Sequence, residues 1–221
     1  MKILTFDTCL NKTYVTLSQD GEILKSVQVE NKNEKYHSAY LISTIVGILK
    51  EFSLTMQNID VIGTNAGPGS FTGIRACVTV SRVFAQQLQC PLVGVSSPEI
   101  LSKLNKSDKN SVILLDARKN QFYLASYDKN GKEIISPGLI QAENVIEYIN
   151  NAQIIADDSV KKYLSEKSID SICYTDCPDD LGVFLNKIVY KKFTENPDNY
   201  FWAKLKPMYI QTPPISCAAK K

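Results

Sequence analysis

The amino-acid sequence predicts an α/β protein with two mixed sheets, built from two related halves. Strand and helix patterns alternate along the chain, which is typical of α/β proteins. An internal repeat indicates the two halves: "DTCLNKTYVTLSQDGEI" starts at Asp7, and "DARKNQFYLASYDKNGKEI" starts at Asp116. In both segments the aspartate ends an apolar strand, and a tyrosine follows seven residues later, at Tyr14 and Tyr123. Such a repeat favours two related half-domains, although two β-meanders can resemble each other by chance.

The composition is that of a globular chain with a sizeable core, since 44% of its 221 residues are hydrophobic. Its 25 basic and 23 acidic side chains nearly cancel, so no overall field marks a nucleic-acid or membrane binder. The apolar run before Asp7 is too short for a signal peptide or a membrane span, which predicts a cytoplasmic protein without membrane contact. Six cysteines without a Cys-x-x-Cys pair, and one histidine, predict reduced thiols and no structural zinc site.

The first half, residues 1–104, is predicted to open with three strands and to continue with alternating helices and strands. Asp20-Gly21 is a strong hairpin signal because both residues tolerate positive φ. Apolar residues recur at helical spacing from Tyr36 to Phe52, and Pro91 follows the end of a second helical pattern. The predicted strands are residues 2–7, 13–19, 22–29, 60–67 and 91–95, and the predicted helices are 36–52, 71–88 and 98–104.

The polar stretch "LNKSDKNS" at 104–111 predicts the linker to a smaller second half, residues 105–221. Beyond the repeated hairpin, residues 141–150 have a helical pattern and residues 153–156 form a short strand. A helix is predicted over 181–193, because its apolar positions share one face. Cys173 and Cys177 have the spacing of one helical face. The tail, which contains three prolines, is predicted to supply at most one edge strand.

The segment "NAGPGSFTGIR" is a glycine-rich turn between a strand and a helix. Its spacing, Gly-x-Gly-x-x-x-Gly, differs from the dinucleotide fingerprint and from the P-loop. The favoured interpretation is therefore structural, with Ser70 or Thr72 capping the helix. Amides at a helix start can still hold phosphate, so a relic phosphate site stays open as the alternative. Its candidate residues are Asp7, Gly67, Gly69, Ser70 and Asp116.

The two predicted helices 36–52 and 71–88 carry apolar residues over a wider arc than contact with one sheet requires. An apolar surface of this kind left in water usually marks an interface. The alternative is that both helices are buried inside this subunit. The predicted partner-interface residues are Tyr40, Leu41, Ile45, Ile48, Leu49, Ile74, Val78 and Phe84.

Four segments together make the chain similar to the TsaB family: "FDT", "NAGPGSFTGIR", "DARKNQFY" and "KPMYIQ". The resemblance covers the whole chain and is strongest from Asp60 to Glu99. It implies an actin-like, sugar-kinase-like ATPase fold (the ASKHA type) of two related halves. It also implies a non-catalytic partner of the paralogue TsaD, which carries catalysis in the formation of threonylcarbamoyladenosine beside the tRNA anticodon.

The same resemblance implies the partners and cofactors. The helices at 36–52 and 71–88 would pair with the same helices of TsaD, or of a second copy in a homodimer, and TsaE would join the pair. Nucleotide and metal are then expected on TsaD and TsaE, with no cofactor on this chain. The tRNA would be reached indirectly, through the complex.

Several residues depart from the patterns of these families. The TsaD type has two metal-binding histidines in a Val-Asn-His-x-Glu-Gly-His pattern, where this chain has Ser97 and Leu101. His37 is interpreted as a surface or interface side chain. Cys9 and Gln211 stand where serine and arginine are common in the TsaB family, which makes anion contacts there doubtful.

Asp7 and Asp116 are interpreted as turn caps first, because short acidic side chains bond local amides. No two glycines are adjacent after residue 110, so the glycine-rich element that holds adenosine in actin-like ATPases is expected to be missing. No catalytic residue and no metal ligand is therefore predicted.

Two other functions were weighed. The alternative function is an independent small-molecule kinase or ATPase of the ASKHA type, whereas a peptidase lacks a hydrolytic constellation of residues. Lys191, Lys192, Lys204 and Lys206 are interpreted as solvated charge rather than as a tRNA contact.

Overall fold

Two five-stranded mixed sheets form the framework of the computed structural model, which describes residues 1–30 and 37–211. The side chains of His37 and Ser38 are outside the described part, so the interpretation of His37 lies outside the described residues. The first sheet contains β1 (Lys2–Asp7), β2 (Thr13–Gln19), β3 (Glu22–Val29), β4 (Val61–Gly67) and β5 (Leu92–Ser96). The second sheet contains β6 (Asn110–Asp116), β7 (Gln121–Tyr127), β8 (Glu133–Gln141), β9 (Ala152–Ala156) and β10 (Ile172–Cys173).

The two sheets have the same strand order. The first runs β3-β2-β1-β4-β5 and the second β8-β7-β6-β9-β10. In each, the first three strands form an antiparallel meander, and the last two are added in parallel. The internal repeat is therefore a repeat of topology, and the prediction of two related halves with mixed sheets is confirmed.

Five α-helices and several short 3-10 segments cover the sheets in the described ranges. The α-helices are α1 (Leu41–Glu51), α2 (Phe71–Leu88), α3 (Ser97–Leu101), α4 (Asp158–Ser165) and α5 (Leu181–Glu195). The 3-10 segments are His37–Tyr40, Met56–Asn58, Ser102–Leu104, Ala142–Glu147, Tyr174–Asp176, Pro197–Asn199 and Trp202–Lys204. Side chains of Ser70, Asp157 and Asp180 accept backbone amide bonds at the starts of α2, α4 and α5, as N-cap residues do.

The helices and sheets alternate as layers. α1 and α2 pack on the outer face of the first sheet, against Leu4 and Phe6 of β1. α3 and α5 fill the space between the two sheets, and α4 covers the outer face of the second sheet. We call each sheet with its outer helices a lobe. The two lobes are joined through α3 and α5.

Helix α5 lies on the first sheet although it follows the second in sequence. Val189 lies so close to Gly63 of β4 that a Cβ there would be 2.4 Å from a Val189 methyl. Asn186 Nδ2 donates to Thr5 Oγ1 at 3.2 Å. The predicted boundary at 104/105 separates the two sheets, but α5 crosses back to the first one. The division into domains 1–104 and 105–221 stays a prediction.

Some elements differ from the prediction in detail. The helix predicted over 36–52 starts as a 3-10 turn, and residue 36 lies outside the described part. The helix predicted over 141–150 is only the 3-10 turn Ala142–Glu147. Cys173 and Cys177 flank a 3-10 turn instead of sharing a helical face. Helix α4 was missed because most of its sequence, "DSVKKYLS", is polar.

The tail after α5 forms no strand within the described residues, and Met208 N donates a single backbone bond to Ala66 O at 2.8 Å. Cys217, Pro213 and Pro214 lie outside that part. None of the helices in the described ranges has both the length and the apolar character needed to cross a membrane.

Six of the eight residues predicted to face a partner are buried in the core of the first lobe. They are Leu41, Ile45, Ile48, Leu49, Ile74 and Val78. Tyr40 and Phe84 are half-buried. The choice of these residues is corrected here, because the most apolar stripe of each helix turns toward β1, β2 and β4. A partner can meet only the opposite stripe of these helices.

We expect Ile45→Ala to lower the free energy of unfolding by about 2–5 kcal/mol, because it leaves a cavity at a side chain that is 1% exposed. Ile42→Ala, at a side chain that is 47% exposed, is the control and should change it by less than about 0.5 kcal/mol. Urea denaturation measures both. Equal effects of the two substitutions would contradict the burial described here.

Candidate functional site

Asn65, near the end of β4, is a fully buried amide that joins three parts of the first lobe. Its Nδ2 donates to Asp7 Oδ2 at 3.0 Å and lies 2.9 Å from Ser97 Oγ. Its Oδ1 accepts from Gly67 N at 2.8 Å and from Ser97 Oγ at 3.0 Å. The network ties the end of β1, the first residue of α3 and the glycine loop (residues 67–73) to one another.

The turn after β1 packs directly on the glycine loop. A Cβ atom added to Gly73 would lie 1.9 Å from Thr8 O, and one added to Gly69 would lie 2.6 Å from Cys9 O. Thr8 Oγ1 donates to Gly73 O at 2.9 Å, and Ser70 N donates to Cys9 O at 3.0 Å. Only glycine permits such a close approach of two main-chain segments. Gly69 and Gly73 therefore serve packing.

The glycine loop does not fit a phosphate group. Three of its amides already donate within the protein: Gly67 N to the Asn65 side chain, Ser70 N to a carbonyl, and Gly73 N to Ser70 Oγ at 3.3 Å. The carbonyl oxygens of Thr8 and Cys9 lie against the loop at Gly73 and Gly69. Their partial negative charges would repel an anion. Ser70 acts as the helix cap that the sequence predicts.

Asp7 is buried at 2% exposure, beneath the glycine loop. Its carboxylate accepts hydrogen bonds from uncharged groups, including Cys9 N and Asn65 Nδ2. Burial raises the pKa of this carboxyl group above its ordinary value, and the hydrogen bonds offset the shift only in part.

Asp116 does not face Asp7 across the space between the lobes. Asp7 pairs with Tyr14, whose ring lies in the core between the sheets. Asp116 pairs with Phe122, whose ring lies in the core on the outer face of the second sheet. Directly paired residues share a face of a sheet, so the two carboxylates belong to opposite faces. The turn of the second hairpin is one residue shorter, which shifts the register.

The local contacts of Asp116 are those of a turn cap. Its Oδ1 accepts from Arg118 N at 2.7 Å, and the side chain is exposed. This agrees with the preferred interpretation of Asp116. The five candidates for a relic phosphate site are therefore not brought together: four lie in the first lobe around a closed loop, and the fifth lies apart.

Asp157, which the sequence analysis missed, organises the corresponding place in the second lobe. Its Oδ2 accepts from Asp116 N at 2.6 Å, and its Oδ1 accepts from Val160 N at 2.9 Å. Burial raises the pKa of Asp157. Two consecutive acidic residues directly after the apolar run at 153–156 are a common signal of a helix start, and they could have revealed both Asp157 and α4.

Two groups of side chains in the described part could place three metal-ligand atoms within 4.8 Å of one another: Asp7, Cys9 and Cys77, and Asp158, Cys173 and Asp176. The first group is buried, and burial raises the pKa of the Cys9 thiol well above its ordinary value, which disfavours the thiolate that metals bind. The second group is held by its own hydrogen bonds, including Thr175 Oγ1 to Asp158 Oδ1 at 2.9 Å. Neither group has a further feature that indicates a metal.

The outward stripe of α1 and α2 is exposed and mixed, with apolar side chains among polar ones such as Ser43, Thr79 and Gln87. Its large apolar side chains are Ile42 and Val46 on α1 and Phe71 and Val83 on α2. A Cβ added to Gly47 would meet nothing within 4 Å, so the main chain of α1 is open to close approach. We call these eight residues the outer helix face.

Charged side chains on α1 and α2 beside the outer helix face include three cations, Lys50, Arg75 and Arg82, while Glu51 is paired with Lys25 at 3.0 Å. The Arg75 guanidinium lies 3.8 Å above the ring of Phe71, and its Nε donates to Tyr209 OH at 3.0 Å. These contacts fix the tail against the start of α2. The outer helix face therefore combines large apolar side chains with exposed polar ones, and we call Lys50, Arg75 and Arg82 its basic margin.

The family model described as "TsaD: tRNA N6-adenosine threonylcarbamoyltransferase" matches residues 23–178. The chain is 23% identical over 168 residues to the tRNA threonylcarbamoyladenosine biosynthesis protein TsaB of Buchnera aphidicola subsp. Acyrthosiphon pisum, which covers 71% of this chain and 75% of that protein. It is 32% identical over 135 residues to TsaB of Bacillus subtilis, which covers 59% of this chain and 57% of that protein. The chain belongs to this family, as a TsaB member.

A solved structure described as YeaZ from Pseudomonas aeruginosa superposes with a TM-score of 0.75, at 20% identity, over 94% of this chain and 99% of that one. The likeness concerns the fold. The expected architecture of two related lobes, with mixed sheets flanked by helices, is confirmed.

The positions at which this chain departs from the TsaD pattern (Ser97 and Leu101) and from the common TsaB pattern (Cys9 and Gln211) have structural roles. Ser97 and Leu101 are fully buried, and Ser97 completes the Asn65 network. Cys9 Sγ donates to Asn65 O at 3.5 Å. Gln211 Nε2 donates to Ala117 O at 2.7 Å, so this side chain links the tail to the second lobe. The sequence analysis did not select Asn65 as a candidate residue. Its place as a polar residue inside a mostly apolar strand could have indicated a buried hydrogen-bond network.

We expect Gly73→Ala to lower the free energy of unfolding by about 3 kcal/mol, because its Cβ would overlap the Thr8 carbonyl. Gly47→Ala is the matched control: the same change in a helix with open space around it should raise stability by up to about 1 kcal/mol. Thermal and urea unfolding report both. A neutral Gly73→Ala variant would show that the turn and the loop are not in contact.

Asp7→Asn should change how stability depends on pH. Because the folded state raises the pKa of Asp7, the native protein holds this proton more tightly than the unfolded chain. As the pH rises above about 4, the wild type therefore loses the part of its free energy of unfolding that comes from this proton. The variant has no such proton and does not lose it. We expect the stability of Asp7→Asn relative to wild type to increase between pH 4 and pH 7 in urea titrations. A constant or decreasing difference would contradict a raised pKa.

Proposed function

We propose that this chain is a non-catalytic partner of TsaD in the formation of threonylcarbamoyladenosine on tRNA. Membership of the family supports a role in this pathway, since the TsaB relatives are named as tRNA threonylcarbamoyladenosine biosynthesis proteins. One observation carries the assignment of role: the main chain of the turn after β1 packs so closely on the glycine loop that Gly69 and Gly73 leave no room for a Cβ atom.

This close packing supports a role without catalysis of its own. An actin-like ATPase needs acidic side chains near a phosphate-binding turn, yet here Asp7 is buried and Asp116 belongs to the other face of its sheet. The residues present do not fit a magnesium nucleotide at this position. An independent kinase or ATPase, the alternative function, therefore has no structural observation in its favour. Nucleotide and metal would act on TsaD and TsaE.

The outer helix face supports the contact with TsaD. Four large apolar side chains are exposed on two helices of the first lobe, and a concentration of this kind supports a protein interface there. Gly47 permits another helix to approach α1 closely, as in a helical bundle. The basic margin fits a partner whose facing rim is acidic, which would set the orientation of the pair more than its affinity.

The same face could pair with a second copy of the chain when TsaD is absent, as a homodimer. TsaE would join the TsaD pair, and tRNA would be reached through the assembled complex in the cytoplasm. In this arrangement the chain contributes a surface, and the chemical step belongs to its paralogue.

We expect Val83→Asp and Val46→Asp each to weaken binding to purified TsaD by at least about tenfold, since each places a charge inside an apolar contact. Isothermal titration of the cognate TsaD measures the affinity. The matched control is Ile146→Asp on the second lobe: Ile146 is 53% exposed and Val83 is 56% exposed, so both variants should fold. The control should bind TsaD like the wild type.

Size-exclusion chromatography with light scattering on the chain alone measures whether the same variants and the wild type form homodimers. If the outer helix face pairs with itself, the two valine variants should be monomers at concentrations where the wild type and Ile146→Asp are dimers. Full TsaD affinity in both valine variants would exclude this face as the contact.

A further inference from the structure

A groove of about 720 Å³ lies between the two lobes, away from the glycine loop. It is bordered by α3 and the 3-10 turn after it, by the turn between β7 and β8, and by the last three turns of α5. The β7–β8 turn is at the end of the second sheet opposite Asp116, because Tyr127 pairs with Ser111 at the start of β6. The groove therefore differs from the cleft in which actin-like ATPases hold nucleotide.

The groove is rich in lysine. Five lysines and two glutamates line it: Lys103, Lys132, Lys187, Lys191, Lys192, Glu99 and Glu195. Both glutamates are used in ion pairs, Glu99 with Lys192 at 2.7 Å and Glu195 with Lys191 at 3.8 Å. Lys103, Lys132 and Lys187 make no ion pair within the described residues. These three ammonium groups are left to face the groove or the solvent.

The turn on one wall is built so that a lysine can lie against it. Asp128 Oδ1 accepts from Asn130 N and Lys132 N, both at 2.8 Å, which fixes the turn. Gly131 has φ +82 and no side chain, and Lys103 Nζ lies 2.6 Å from the place that a Cβ at 131 would take. The lysine head therefore reaches from the first lobe to this turn of the second, at a place that glycine leaves open.

The floor of the groove is apolar. Phe184 and Ile188, one helical turn apart on α5, line it between the lysines, and Phe184 is half-buried. Clustered lysines repel one another, and walls of low dielectric constant strengthen their field inside a concave surface. The arrangement favours a ligand that has several negative charges and a flat or apolar part.

We propose that this groove binds a phosphorylated ligand, with its phosphates on Lys103, Lys132 and Lys187 and its base or other flat group on Phe184. Phosphate carries the charge density that several lysine point charges match. Aromatic side chains between cations are the common way to hold a nucleobase. The ligand can be the phosphodiester backbone of single-stranded RNA or a free nucleotide or polyphosphate.

This inference does not depend on the proposed contact with TsaD, because no residue of the groove lies on α1 or α2. It revises the interpretation of part of the lysine-rich helix α5 as solvated charge. Lys192 remains an ion-pair partner of Glu99, and Lys187, which the sequence analysis did not single out, becomes the central residue.

The test measures binding to a fluorescein-labelled single-stranded RNA of about 12 nucleotides, a length within the range one domain covers. Fluorescence anisotropy gives the RNA affinity at several salt concentrations, and calorimetry gives the affinities for ATP and tripolyphosphate. The groove variant is Lys103→Glu/Lys187→Glu. The control is Lys50→Glu/Lys119→Glu, which alters net charge equally at two exposed lysines outside the groove.

We expect the groove variant to bind at least about tenfold more weakly and the control less than about threefold. For RNA, the slope of log affinity against log salt should fall by about 1.4, since each lost phosphate contact releases about 0.7 counterion. Loss of RNA binding alone assigns the phosphodiester, and loss of ATP and tripolyphosphate binding assigns the free ligand. A milder Lys103→Gln/Lys187→Gln variant should show an intermediate loss.

The inference is overturned if the two double variants weaken binding equally, because the ligand would then respond only to the net charge of the protein and not to the groove. It is also overturned if neither RNA nor the free phosphates bind the wild type at 50 mM salt, a condition that favours such contacts. TsaD affinity of the groove variant, measured in parallel, should match the wild type. A failure of the groove proposal would therefore be distinguishable from a failure of the proposed partnership with TsaD.

Discussion

The buried side-chain amide of Asn65 is the constraint on which the rest of the first lobe depends. It contacts the end of β1 through Asp7, the start of α3 through Ser97 and the glycine loop through Gly67. An unpaired polar atom at this depth costs about 1–3 kcal/mol, so the arrangement that satisfies both ends of the amide is strongly preferred. That arrangement presses the turn after β1 onto the glycine loop and fixes where α2 begins.

The close packing of the turn on the glycine loop supports the proposal that the working surface lies on α1 and α2. Three amides of the glycine loop donate within the protein, and the Asp7 carboxylate accepts from Cys9 N and Asn65 Nδ2, so these groups hold the loop and the turn together. Helix α2 still starts from the same glycine loop, with Phe71 near its start and Val83 near its end on the outward stripe. The glycine loop that packs on the turn after β1 therefore also sets the start of the helix that carries Phe71 and Val83.

Much of the fold was predictable because it rests on local signals. Strand alternation, the Asp20-Gly21 turn and the repeated hairpin indicated the strand-hairpin unit that opens each sheet, and the capping serine indicated the start of α2. The burial of Ile45 and Val78 was not predictable, because a helix with apolar residues on several sides does not reveal which stripe meets the sheet. The turn after Asp116 is one residue shorter than the turn after Asp7. The two aspartates therefore lie on different faces of their sheets, although each is seven residues before a tyrosine.

The account makes the outer helix face, and not the cleft, the working surface of this TsaB-family protein. Hydrogen exchange of the chain with and without an equimolar amount of TsaD tests this most directly. The account predicts slower exchange in peptides from α1 and α2, and unchanged exchange in the turns at 8–12 and 117–120. Protection of those turns, with α1 and α2 unchanged, would contradict it.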